Sequence, residues 1–208
     1  MAALENFEAL LALTNLAQMS ESVRQRIIKE GGLGKIENYM YEDHEDLHRA
    51  AIQAVVNLCM SPDTVKAFEG ENDRLKYFIL ICNEEEEPEV TQAVAGALAF
   101  LTSSSEKICN KFLTIPKWME AMSFLLANPS EPVRERGACI AAFLMDSNKE
   151  NAAKIVETPI LELLMALTSK EVTSEYRPGE KVVKYAHEAL MSAKEHGVIQ
   201  ENKAEDDA

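Results

Sequence analysis

Residues 50–60, Ala-Ala-Ile-Gln-Ala-Val-Val-Asn-Leu-Cys-Met, set the texture of the whole chain, because related stretches recur at Ala9–Ala17, Ala93–Ser103, Gly137–Met145 and Ala186–Ser192. With Leu58 as the marker, its counterparts are Leu16, Leu101 and Leu144, at spacings of 42, 43 and 43 residues, and Leu190 follows after 46. A period of this size belongs to two- or three-helix solenoid repeats of the HEAT and armadillo kind. Each copy is rich in small residues and apolar nearly all round, as a helix must be when neighbours in a stack cover most of its faces. The repeat therefore predicts an all-α chain, and three helices per unit favour an armadillo-repeat right-handed superhelical solenoid.

The punctuation between copies keeps the same period. Ser20, Ser61, Ser104 and Ser147 each follow a long helix and precede a short one, where serine can cap the next helix. Ser147 with Glu150 has the spacing of a capping box. Pro116 and Pro159 stand before one helix class, Pro88 and Pro132 before another, and proline is tolerated only in a first turn. The predicted short helices are 21–29, 62–68, 106–113 and 149–156. Those of the second class are 34–41, 73–82, 116–127 and 159–168, and the long ones are 46–60, 88–103, 131–145 and 180–195. Residues 3–19 read as a long helix that enters in mid-repeat, as in a piece of a longer array.

The array is expected over residues 1–199, as about four to five repeats with the first incomplete. Ser169–Gly179, with Pro178 and Gly179, reads as an exposed loop that lengthens the last spacing, and 200–208 as a disordered acidic tail. A formal net charge of -14 excludes nucleic acid or an anionic membrane as the main partner, since both are bound through clustered Lys and Arg. No stretch reaches the roughly 18 apolar residues of a membrane span, and no secretory signal opens the chain. Cys59, Cys82, Cys109 and Cys139 lie singly in apolar helical contexts, as buried thiols of a reducing, cytoplasmic compartment.

Catalytic signals are weak. His44-Glu45-Asp46-Leu47-His48 satisfies H-E-x-x-H, which on a suitable helix binds zinc and supplies a general base for hydrolysis. Here it stands at an acidic helix entrance, with only His187 and His196 left as further histidines, and reads as a helix start favoured by the dipole. Gly31-Gly32-Leu33-Gly34-Lys35 has Lys29 and Ile36 where a phosphate loop needs glycine and a hydroxyl residue, so it is a glycine stop. Glu84–Glu87 is a solvated acidic run before a helix, and Trp118 lies at core-packing spacing from Met119, Met122 and Leu125. No enzyme activity and no cofactor are expected.

The informative column lies one residue before the marker leucine: Asn15, Asn57, Phe100 and Phe143. Third helices line the concave face of an armadillo array, so these residues form a ladder along a groove. Glu8, Arg49, Gln53, Gln92, Gly96 and Arg136 stand one or two turns earlier. The polar members can bond an extended backbone and the phenylalanines can cradle apolar side chains. Equally, the asparagines can bond neighbouring helices and the phenylalanines fill the core. The partner-binding set is Asn15, Arg49, Gln53, Asn57, Gln92, Phe100, Arg136 and Phe143.

Phe7-Glu8-Ala9-Leu10-Leu11-Ala12-Leu13-Thr14-Asn15-Leu16-Ala17, the run Glu21 to Glu30, Arg49-Ala50-Ala51 through Asn57-Leu58, and Phe68-Glu69-Gly70-Glu71-Asn72-Asp73-Arg74 resemble the C-terminal part of the UCS domain of animal myosin chaperones. The likeness continues through Ala127-Asn128-Pro129-Ser130 and Arg136-Gly137. The resemblance implies an armadillo domain that binds the myosin heavy-chain motor domain, assists its folding and guards it against aggregation without a cofactor. It also implies cooperation with the ninety-kilodalton heat-shock chaperone through an N-terminal tetratricopeptide domain, which this chain lacks. The family's client site, in the UCS groove, carries over to Asn15, Asn57 and their groove neighbours. The other protein-binding reading is an armadillo adaptor for a linear peptide in the concave groove, and an uncovered first helix leaves room for self-association.

Overall fold

The computed structural model describes residues 2–83, 87–169 and 178–200, and among them every regular element is a helix. Of the loop expected at Ser169–Gly179, residues 170–177 lie outside the described residues, as do 201–208 of the tail expected at 200–208 and the acids Glu84 to Glu86. The chain divides after Ile108 into two compact units.

In the first unit the long helices α1 (Ala2–Met19), α4 (Glu45–Leu58) and α7 (Pro88–Ser104) pack in succession. The short pairs α2 (Glu21–Lys29) with α3 (Gly32–Tyr39), and α5 (Pro62–Glu69) with α6 (Arg74–Ile81), form the other layer. Helix α8 (Glu106–Phe112) carries the division. The second unit holds α9 (Trp118–Ala127), α10 (Glu131–Ser147), α11 (Lys149–Val156), α12 (Ile160–Thr168) and α13 (Glu180–Glu195), with α10 against α13 and α9 and α12 behind them. Short, middle and long helices thus alternate as the period predicts, in an armadillo-type order.

The small residues explain why the long helices can pack so closely. Ala51, Ala54, Leu58, Ala95, Leu98, Leu101, Ala138, Ala141 and Leu144 are all sealed from solvent. At Gly137 the approach leaves no room for a methyl group, since a Cβ there would meet Leu125 Cβ at 2.9 Å and the Leu125 carbonyl carbon at 3.0 Å. Helix α1 departs from the pattern. Leu16, the counterpart of the sealed Leu58, is 42% exposed, because no described helix covers the face that α3 covers on α4.

Polar bonds join successive repeats within each unit. In the first, Ser61 Oγ donates to Glu21 (2.7 Å), Ser105 Oγ donates to Glu69 (2.6 Å), and Arg74 pairs with Glu37. In the second, the Asn148 and Asn151 amides donate to Asn110 Oδ1 at 2.9 and 2.7 Å, and Lys154 donates to the Leu113 carbonyl at 2.6 Å. Capping departs from expectation by one residue. Ser20 caps α2 as predicted, but Ser104 and Ser147 are the last residues of α7 and α10. Asn148, whose Oδ1 accepts from the Asn151 N–H at 2.9 Å, is the cap of α11, while Ser147 donates back to the Leu144 carbonyl. The turns before the middle helices use left-handed backbone at Gly31 (φ 74°) and also at Lys117 (φ 71°), a residue that pays a steric cost there.

All four cysteines are buried free thiols. Burial pushes the Cys82 thiol up to about 12 and raises Cys59 and Cys139 as well. An unfolded thiol loses its proton near pH 8.5, so between about pH 8.5 and 12 the unfolded chain sheds a proton that folded Cys82 keeps, and stability falls as pH rises. Urea unfolding measured from pH 8.5 to 11 should show an alkaline decline that is shallower in Cys82→Ala by about 1.4 kcal/mol per pH unit. At neutral pH, Gly137→Ala should lower unfolding free energy by about 1–3 kcal/mol through overpacking against α9.

Candidate functional site

In the first unit, α1, α4 and α7 enclose a cleft of about 270 Å³. Its floor is apolar: Ile52, Val90 and Ala50 are buried, Phe7 is half-buried, and Leu11 is 43% exposed. Leu11 and Gln53 come from the same repeat position on adjacent helices, so one column gives the cleft both an apolar and a polar wall. Asp46, Arg49 and Glu89 form the rim. Arg49 pairs with Glu45 on its own helix and with Glu87 at the head of α7, each at 3.4 Å. The hydrogen bond and charge of Glu87 raise the Arg49 pKa further, so this cation is permanent. Exposed pairs of this kind are worth about 0–1 kcal/mol, which leaves the guanidinium free to exchange partners.

Asn57 is committed inside the stack. Its side chain is buried, Nδ2 donates to the Thr14 carbonyl at 3.1 Å, and Oδ1 accepts from Gln53 Nε2 at 3.5 Å. Of the two roles open to this column, Asn57 thus takes the helix-bridging one, tying α4 to α1. Asn15 lies exposed on α1, and Gln92 and Phe100 lie exposed on α7, Phe100 at 39%. The cleft brings together Arg49 and Gln53 from the expected set, but Asn15, Gln92 and Phe100 are not among its lining residues.

In the second unit Phe143 is half-buried in a separate cleft of about 300 Å³ between α10 and α13, with Asp146, Glu188, Met191, Ser192 and Glu195. Arg136 is exposed on α10 and does not line it. Trp118 is half-buried beside the 40%-exposed Met119, while Met122 and Leu125 carry the core contacts expected of that helix. The H-E-x-x-H segment is a helix start: His44 precedes the first turn of α4, and His48 Nδ1 lies 2.8 Å from the Met40 carbonyl, to which it can donate. Among the described residues no group of three or more His, Cys, Asp or Glu could hold a metal ion, and no helix is long and apolar enough to cross a membrane.

A column reading missed Phe7, Leu11, Asp46 and Glu89, and in the second unit Asp146, Glu188, Met191 and Glu195. The available signal was exposure of apolar residues on otherwise polar faces. Asn57→Ala should cost about 1–3 kcal/mol in urea unfolding by stranding the Thr14 carbonyl, whereas Gln53→Ala should stay within about 0.5–1 kcal/mol.

No family model matches the chain. Among curated proteins it is 39% identical over 198 residues to protein unc-45 homolog B of Xenopus tropicalis, covering 94% of this chain and 21% of that one. The chain thus spans about a fifth of the length of such relatives. Among solved structures, UNC-45 from Drosophila melanogaster superposes with a TM-score of 0.85 at 48% identity, over 95% of this chain and 24% of that one. The myosin chaperone UNC-45 from C. elegans, solved in complex with a Hsp90 peptide, gives 0.76 at 27% identity over 90% of this chain and 20% of that one. A designed armadillo repeat protein shares the fold, with a TM-score of 0.77 at 20% identity over 92% of this chain and 82% of that one.

Proposed function

Because the chain belongs to the UCS-domain family of myosin chaperones, we propose that it binds the myosin heavy-chain motor domain and assists its folding, as a non-enzymatic module that needs no cofactor. The observation that carries this reading is the kinship over 94% of the chain, reaching a C. elegans relative that is itself a myosin chaperone. The clefts support it. A chaperone that holds a partly folded client needs exposed apolar surface that is shallow, polar at the edge and fixed in shape, so that contact is reversible and the chaperone does not itself aggregate. The α1/α4/α7 cleft fits this need, with Phe7 and Leu11 open on an apolar floor and Arg49, Gln53 and Asp46 at the edge.

Within this reading Arg49 and Gln53 contact the client, and Asn57 supports them from behind by bridging Gln53 to Thr14. A C. elegans relative was solved in complex with a Hsp90 peptide, and cooperation with that heat-shock chaperone, through length of the relatives beyond this chain, is part of the same reading. The cytoplasm is the compartment that suits four free buried thiols.

The test is light scattering of a muscle myosin motor domain on heating. The unchanged chain, at a few-fold molar excess, should suppress the rise. Leu11→Asp combined with Arg49→Glu alters two partly exposed side chains of the cleft, and should abolish most of the protection while leaving urea stability within about 1 kcal/mol. Full protection by the variant would move the client site off this cleft. Loss of protection even by the unchanged chain would favour an adaptor that binds some other linear peptide.

A further inference from the structure

The cleft of the second unit differs from that of the first in having no cation. On α13, Glu188, Met191, Ser192 and Glu195 follow one another at i, i+3, i+4 and i+7, which aligns them on one face. On α10, Ala142, Phe143 and Asp146 face them. Two large apolar groups, the half-buried Phe143 and the 39%-exposed Met191, are therefore framed by three carboxylates, and none of the described residues lining the cleft is cationic. Lys184 reaches Glu188 from one turn away at 3.7 Å, and Ser192 Oγ donates to Asp146 at 3.3 Å. Glu195 makes no ion pair among the described residues. Three like charges around an apolar floor repel one another and leave that floor open, in a chain already at -14.

We propose that this cleft seats an arginine or lysine side chain of an extended client segment. The aliphatic stem lies along Phe143 and Met191, and the cationic head sits between Asp146, Glu188 and Glu195. Three properties select this occupant. Charge complementarity requires a cation. The apolar floor requires that the cation carry a hydrocarbon stem, as Arg and Lys do, and Phe143 adds a ring face to which a guanidinium is attracted. Among the described residues these carboxylates do not form a group that could hold a metal ion, whereas a guanidinium presents five donors in a broad fork and can pair with more than one acceptor. A volume of about 300 Å³ suits one long side chain with its waters, being at the small end of sites for whole ligands.

This inference rests on the client-binding reading and adds to it that the bound segment is basic as well as apolar. The probe is a fluorescein-labelled, otherwise Gly/Ser peptide with a central Leu-Arg-Leu-Arg-Leu, followed by anisotropy against the full chain. Matched peptides carry citrulline, which keeps the shape of arginine without its charge, or glutamate. The arginine peptide should bind, and more weakly at 300 mM than at 50 mM salt. The citrulline peptide should bind roughly tenfold more weakly, and so should the arginine peptide to a Glu188→Gln, Glu195→Gln variant whose thermal melt is unchanged. Equal affinity for the arginine and citrulline peptides, unchanged affinity of the variant, or no binding of the arginine peptide would each overturn the basic seat. Protection of the motor domain is scored separately, so its persistence would show that only the seat had failed, and its loss that the client reading had failed.

Discussion

Close packing of the long helices is the constraint from which the rest of the structure follows. The long helices stack on alanine, with Ala51, Ala54, Ala95, Ala138 and Ala141 sealed from solvent, and a long helix meets the middle helix of its own repeat so closely that a methyl on Gly137 of α10 would strike Leu125 of α9. Once that layer is fixed, each long helix after α1 has a sealed side toward the short pair of its own repeat and an opposite side that carries the clefts. The sealed side takes the large aliphatic residues, Leu58, Leu101 and Leu144 among them. Little apolar area remains to be shed on the opposite side, so what lies there is free to vary between repeats. Asn57, Phe100 and Phe143 stand at one repeat position with three different environments: Asn57 is buried and bonded to α1, Phe143 is half-buried and Phe100 is exposed.

Polar groups fix the register that small residues leave loose. Alanine faces slide easily because they have few distinctive knobs. The bonds from Ser61 to Glu21, from Ser105 to Glu69 and from Asn151 to Asn110 each join one repeat to the next at a defined step, and each is short. Asn57 does the same between the long helices by donating to the Thr14 carbonyl. A misregistered stack would lose the three part-buried bonds, each worth about 0.5–1.5 kcal/mol, and strand the buried Asn57–Thr14 pair at about 1–3 kcal/mol. Register matters for the clefts, since their walls come from neighbouring helices, as Leu11 and Ile52 do in the first unit and Phe143 and Met191 in the second.

The period was legible because covering a helix on most faces forces a composition that nothing else requires, and all thirteen predicted helices agree with the observed ones to within two residues at each end. The errors have specific causes. Ser147 looked like a cap because its spacing to Glu150 is right, but α10 keeps its geometry through Ser147 and the neighbouring asparagine reaches the free N–H instead. Leu16 matched Leu58 in sequence, yet exposure depends on what packs against it. The site residues were harder. A column one residue before the marker follows single helices, whereas a cleft belongs to pairs of them. Arg49 and Gln53, read two turns and one turn before Asn57 on a single helix, fall in the first cleft because that side of α4 meets α1 and α7, while Asp146 and Glu195 come together only when α10 and α13 pack.

The two clefts share a design in which apolar surface is left open but ringed by charge. Burying an apolar client side chain gains about 25 cal/mol per Å², so a shallow patch formed by Leu11 and Phe7, or by Phe143 and Met191, gives contacts of modest strength. Modest strength suits the proposed chaperone reading, in which a client held as tightly as a folded core would not be released. The acidic rims add a term that is long-ranged and easily screened, which speeds encounter more than it deepens the bound state. Arg49, already shared between Glu45 and Glu87, can pass to a client carboxylate with little net change in charge pairing, and the carboxylates it leaves can then accept a client cation. On the proposed client-binding reading, a surface of exchangeable ion pairs over a shallow apolar floor follows a client as it changes shape.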